Sequence, residues 1–226
     1  MTTITISEEI AQKIPAVTLV SIESTVVIED KNDELWGLID KKVNDISASL
    51  KVEAFGKMDA VAASRRGYKA CGKDPARYRL SAEALLRRIV KQKDIFQINN
   101  VVDLLNFVSI STGYSIGGYD ADKISGDIRF SIGRGDEEYQ AIGRGELNIE
   151  SLPVFRDSLG AFGSPTSDSV RTAVTNETKR FLMVIVDFGY REGLNDAVKT
   201  AVGLLLEYAG ACNIRIKKIV YDKADK

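Results

Sequence analysis

Histidine is absent from all 226 residues. That absence removes the commonest general base, every Ser-His or Cys-His nucleophile pair and the commonest zinc ligand. Any catalysis must use carboxylates, lysine, tyrosine, backbone dipoles or the substrate's own groups. Cysteine is scarce as well. Cys71 and Cys212 stand far apart, with no Cys-x-x-Cys pair and no disulfide framework. This predicts a reducing, cytoplasmic setting in which both thiols are small, partly buried side chains. No apolar run approaches eighteen residues and the start carries no charged, apolar, small-residue leader, so neither a membrane span nor export is expected. A zinc site would have to be built from carboxylates alone, a donor set better suited to magnesium, so no metal and no cofactor is expected. The glycine-rich stretch 160–169 is not followed by Gly-Lys-Ser/Thr, which excludes a nucleotide P-loop.

What is present suffices for a sizeable core: 44% of the residues are hydrophobic. The formal net charge is −1, so no global field attracts nucleic acid. Charge is unevenly spread, however. Residues 57–93 hold eleven basic side chains against three acidic ones, a local excess of eight that leaves −9 for the remainder. Such a segment either neutralises phosphates or is a solvated helix face. If it contacts RNA, the candidate residues are Arg65, Arg66, Arg77, Arg79, Arg87 and Arg88. Arg77-Tyr78-Arg79 also interleaves an aromatic with two guanidinium groups, a mix that clamps phosphate and stacks on a base; surface packing is the plainer alternative.

Periodicity predicts a mixed α/β (α+β) fold: a single compact domain over residues 1–226, with a mixed, largely antiparallel sheet flanked by helices. Strands are expected at 3–6, 17–22, 25–28, 127–132, 138–142, 181–188 and 214–220. Helices are expected after Ser7, over 33–50 with Trp36 beside the apolar face, over 58–68, after a Ser81 cap, and over 194–208. Residues 160–169 read as a flexible polar loop, and Arg134-Gly135-Asp136 as a hairpin turn.

The organising stretch is 98–120. Val101, Val102, Leu104, Leu105, Phe107 and Val108 make a helix apolar on nearly every side, capped by Asn99 or Asn100 and stopped by Gly113. Asn106 is its odd member: either a pocket group or a structural side chain tying down a loop. Gly117-Gly118-Tyr119-Asp120 follows, and the paired glycines let the backbone approach something closely.

The order Asn99-Asn100-Val101-Val102-Asp103, Asn106, Gly113, Tyr119-Asp120-x-Asp122-Lys123-Ile124 and Gly126 resembles the tRNA-binding and editing module (B3/B4) of the phenylalanyl-tRNA synthetase beta chain. The resemblance covers residues 77–188 and leaves 1–56 outside it. It implies a free-standing relative, with tRNA or aminoacyl-tRNA as partner and a pocket that hydrolyses wrongly esterified tyrosine. In that family the pocket holds a Thr-Asn pair, a histidine in the next corner and a glutamate in a later glycine loop. Asn106 keeps the asparagine, but Leu105 and Gly117 stand where the threonine and histidine would be. Val170 falls at or near the glutamate, two residues from Asp168. The pocket implied here comprises Asn106, Gly117, Gly118, Asp168, Ser169, Val170, Arg171 and Thr172, wider and less polar at Gly117. Selection of a tyrosyl hydroxyl does not carry over, because a hydroxyl is selected strongly only where a polar partner awaits it.

Three functions remain open on the sequence. The first is a tRNA-binding domain that hydrolyses mischarged aminoacyl-tRNA in trans, where an already activated ester needs little beyond positioning and backbone donors. The second is a non-catalytic RNA-binding or interaction module. The third is a pocket protein for a free amino acid. No catalytic residue is assigned.

Overall fold

The computed structural model describes residues 2–223, the side chains of Val52 and Glu53 excepted. Short β1 (Ile4–Ile6) leads into α1 (Glu8–Lys13), whose first turn is capped by Ser7 accepting from the Ile10 N–H. The run expected at 17–22 continues through Thr25 as one strand, β2 (Thr18–Thr25), and the rest of the second expected run, residues 26–28, is not strand. Helices α2 (Asp33–Ser49), α3 (Asp59–Ala70), α4 (Ser81–Val90) and α5 (Asn100–Thr112) follow. Then come β3 (Ser115–Asp120), β4 (Ile128–Ile132), the ribbon of β5 (Gln140–Ala141) and β6 (Gly145–Glu146), β7 (Pro153–Asp157) and β8 (Gly160–Gly163). The chain closes with β9 (Arg180–Asp187), α6 (Leu194–Tyr208) and β10 (Cys212–Ile219).

The strands divide between two four-stranded sheets, β10-β2-β9-β3 and β1-β4-β7-β8, rather than forming one. Among the described residues only β1 and β4 pair in parallel; the other pairs in the two sheets are antiparallel. The reason for layering is legible in β9. Leu182, Val184 and Val186 join a core shared by both sheets, while Phe181, Met183 and Ile185 join a second core under α2, α5 and α6. A strand apolar on both faces must be covered on both, and each such side chain contributes about 1.5–3 kcal/mol when buried. The result is a single compact α+β fold: sheet, sheet, then helices. A third, smaller cluster holds α4 to α2, α3 and α5 through Ile46, Val61, Leu86, Ile89 and Ile110.

Helix α5 begins and ends as its residues predict. Asn99 accepts from the Val102 N–H at 3.0 Å, and Gly113 takes φ +79° in the left-handed region. Its buried polar residues are Asn100, Asp103 and Ser109, whereas Asn106 is half-exposed. Asn100 donates to the carbonyls of Val27 (2.9 Å) and Tyr208 (2.8 Å) and accepts from the Glu29 N–H (3.0 Å), tying α5 to the ends of β2 and α6. Asp103 accepts from the Trp36 indole at 2.7 Å and the Ile98 N–H at 3.0 Å; burial raises its pKa despite those bonds.

Several local expectations are corrected. Residues 160–163 of the supposed polar loop are strand β8, and Gly117-Gly118 lie inside strand β3. Ser81 does not cap α4: it is the first helical residue, Leu80 holds the cap position, and the Ser81 hydroxyl has no partner among the described residues. Cys212 is exposed on an edge strand, and only Cys71 is buried.

Candidate functional site

The site is best built outward from β3, the edge strand of its sheet. Side chains alternate along it, so Gly117 and Tyr119 face the second sheet while Gly118 faces α5. A Cβ on Gly117 would meet the Tyr119 hydroxyl at 2.1 Å, and one on Gly163 at the end of β8 would meet the same oxygen at 2.2 Å. A Cβ on Gly118 would meet Leu105 Cδ1 at 2.7 Å. The glycines therefore make room for the chain's own side chains. Tyr119 fills the slot between the sheets, edge-on to Phe162 at 5.0 Å and to Phe155 at 6.1 Å.

At the end of that ring, Tyr119 donates to Asp168 Oδ1 at 2.8 Å, and the Gly118 N–H reaches Oδ2 at 3.4 Å. The carboxylate thus caps a donor on the open edge of β3. Asp168 as a residue keeps some surface, but its carboxylate is enclosed. Burial pushes its pKa up to about 7, although the Tyr119 hydroxyl and the Gly118 and Ser164 backbone groups stabilise the ionised form. Burial and then the Asp168 charge raise the Tyr119 phenol well above its ordinary range. Two further tyrosines hold the same loop: Tyr68 of α3 bonds Thr166 Oγ1 at 2.9 Å and Tyr139 donates to the Ser167 carbonyl at 2.7 Å.

Of the eight pocket residues expected from sequence, Gly117, Gly118 and Asp168 meet at this junction. Ser169, Val170 and Arg171 instead line a surface groove of about 410 Å³ beside β8 and residues 137–140. Val170 is 55% exposed there, and Arg171 is held by Asp157 through two bonds of 3.0 and 2.9 Å. Burial alone would raise the Asp157 pKa, but Arg171 and the N–H groups of Ser125 and Leu159 bring it below the usual range. Thr172 is buried, its hydroxyl 3.5 Å from the Phe162 carbonyl. Asn106 sits in the helical layer, and no hydrogen bond links its side chain to the others. Tyr68, Tyr119 and Tyr139 are the residues sequence reasoning passed over. The one available signal was an aromatic two positions after a glycine in an extended segment, which places the ring over the glycine.

The basic segment is divided by Glu83, 1% exposed, which binds Arg65 at 2.8 Å and Arg87 at 2.9 Å. Those two arginines are structural partners of a buried charge. Arg66, Arg77 and Arg79 are exposed and form no ion pair among the described residues. Arg88 donates twice to the Asp94 carbonyl. Tyr78 lies under Lys73 Nζ at 4.0 Å, with the Arg77 guanidinium 5.7 Å from its ring centre. Among the described residues no group of three or more Cys, Asp or Glu is placed to hold a metal ion, and no helix is long and apolar enough to cross a membrane.

The family model of the B3/4 domain matches residues 63–210. The chain belongs to the B3/4 domain family. The match extends beyond the expected 77–188 at both ends and takes in most of α3, most of the basic segment, the Tyr119–Asp168 junction and α6. Among solved structures, the B3/4 chain is similar to an N-terminal fragment of the phenylalanyl-tRNA synthetase beta subunit from Pyrococcus horikoshii, at a TM-score of 0.54 and 18% identity. That alignment covers 98% of this chain and 52% of the fragment, so the chain spans about half the fragment's length. At this identity the likeness concerns the fold, and it includes residues N-terminal to the B3/4 match. No curated protein matches the sequence.

Proposed function

We propose that this B3/4 chain binds tRNA and presents the aminoacylated end to the loop that carries Asp168. The observation that carries the reading is a join between two features. The Ser81 N–H, two residues after the exposed Arg79, donates to the Pro165 carbonyl at 2.7 Å, and Tyr68 of α3 holds Thr166 in the same loop. Phosphate-neutralising groups on α3 and residues 73–79 are thus fastened directly to the 164–169 loop. A nucleic acid lying on the first would end at the second. Arg66, Lys69, Arg77 and Arg79 are the exposed cations for that role. Titration of labelled tRNA at increasing salt tests it: affinity should fall steeply with salt and weaken in Arg66→Glu and Arg79→Glu. Salt-independent or absent binding rejects it.

A second reading, hydrolysis of a mischarged aminoacyl-tRNA in trans, is favoured by one observation: a carboxylate with a pKa near 7 beside a backbone N–H. Near neutral pH such a group can accept a proton from water attacking an ester. Because Tyr119 occupies the slot between the glycines and the Asp168 carboxylate is enclosed, the 164–169 loop would have to lift from Tyr119 for an ester and its attacking water to reach that carboxylate. A screen of aminoacylated tRNAs for deacylation tests this reading. Asp168→Asn should abolish turnover and spare tRNA binding; turnover unaffected by that change removes Asp168 from the chemistry.

A further inference from the structure

The exposed aromatic bordering the basic segment is Phe96, not Tyr78. Tyr78 is half-buried and its ring faces cations. Phe96 is 65% exposed, in the segment joining α4 to α5. That segment is not loose at its start. Helix α4 ends with Gln92 in the left-handed region at φ +53°; the Gln92 N–H donates to the Ile89 carbonyl and the Lys93 N–H to the Arg88 carbonyl, both at 2.9 Å. These two bonds form a Schellman closure that folds the chain back over the helix end. Arg88 then reaches across it, donating to the Asp94 carbonyl at 3.1 and 2.8 Å, and lays its guanidinium carbon 4.4 Å from the Phe96 ring centre. With one face under the guanidinium, the ring's exposure belongs to the opposite face and the rim. Lys91 and Lys93 are exposed in the same segment, and with Arg88 they outnumber Asp94 and Asp40 of α2, which shares a groove with Gln92, Lys93 and Asp94.

We propose that Phe96 is a stacking platform for an unpaired RNA base, with Arg88 backing the ring and Lys91 and Lys93 meeting the adjoining phosphates. The inference rests on the RNA-binding reading above and adds single-stranded character to the ligand. Cations at a helix C-terminus suit the helix dipole whatever else they do. An exposed phenyl ring braced from behind by a guanidinium, within a net positive surface, suits a flat π-face attached to an anionic backbone. That charge complementarity favours a nucleic acid over a protein surface. The ten residues of α4, at about 1.5 Å each, carry the chain about 15 Å from the Ser81–Pro165 join to the turn that begins the Phe96 segment.

The test compares wild type, Phe96→Ala and Phe96→Trp by fluorescence anisotropy on three probes: tRNA, a single-stranded oligouridylate of about ten nucleotides, and a duplex RNA of the same length. Phe96→Ala should weaken single-stranded binding about tenfold, leave duplex binding within about twofold, and leave the melting temperature unchanged. Phe96→Trp should restore affinity, and its indole emission should be quenched by the oligonucleotide. Wild type that binds no RNA defeats both this inference and the reading beneath it. Salt-sensitive tRNA binding that is indifferent to Phe96→Ala defeats the platform alone, as does equal loss on single and double strands. Phe96-dependent self-association with unchanged RNA binding assigns the ring to a protein contact and overturns the proposal.

Discussion

The Tyr119 hydroxyl donates a 2.8 Å hydrogen bond to Asp168, and through this bond the edge strand of one sheet holds the loop that follows the edge strand of the other. The same ring lies over Gly117 and against Gly163. One side chain therefore closes the space between the sheets and anchors the candidate site.

Because the Asp168 pKa rises to about 7 on folding, the folded chain binds its proton more tightly than the unfolded chain, where aspartate titrates near 3.9. The stability contributed is complete below that lower value and is lost as pH climbs through about 7. Melting temperatures measured from pH 4 to 8 should fall more steeply in wild type than in Asp168→Asn. Identical profiles would contradict this account.

Tyr119→Phe should cost about 1–3 kcal/mol, because it leaves an enclosed carboxylate without its hydroxyl donor. Tyr119→Ala should cost more, about 3–5 kcal/mol, by opening the slot between the sheets. Urea denaturation midpoints give the order Phe above Ala. Gly163→Ala should also destabilise, since its Cβ would sit 2.2 Å from the tyrosyl oxygen.

Charge reversal in the basic segment should have two distinct outcomes. Arg87→Glu places a like charge beside buried Glu83 and removes its 2.9 Å partner, so it should cost about 3–5 kcal/mol. Arg66→Glu and Arg79→Glu should change stability by less than about 0.5 kcal/mol. Only the second pair reports cleanly on tRNA affinity, and chemical denaturation run beside the binding assay shows which class a variant belongs to.

Two asparagines one helical face apart should behave oppositely. Asn100→Ala leaves the Val27 and Tyr208 carbonyls and the Glu29 N–H without partners, for a loss of at least about 2 kcal/mol. Asn106→Ala, at a half-exposed position, should stay within about 0.5 kcal/mol. A destabilised Asn106→Ala would mean that this carboxamide has a structural task its surroundings do not reveal.

The residues themselves determined whatever depends on near neighbours in the chain. Asn99 and Gly113 delimit α5 because a capping acceptor and a left-handed stop act within one turn. Residues 194–208 and 181–188 announce α6 and β9 through a helical stripe and an apolar run. The ordered positions from Asn99 to Gly126 carried the family. Tertiary structure alone decided which polar groups are enclosed. Asn100 and Asn106 are the same residue in the same helix, yet only the first faces the ends of β2 and α6. The glycine pair could signal close approach but not what approaches; it is Tyr119 and Leu105 that fill the space. Likewise a run of arginines reads as one charged surface until Glu83, brought inward by α4, claims Arg65 and Arg87. Burial and ion pairing join residues far apart in sequence, and no local pattern encodes which partners the fold will bring together.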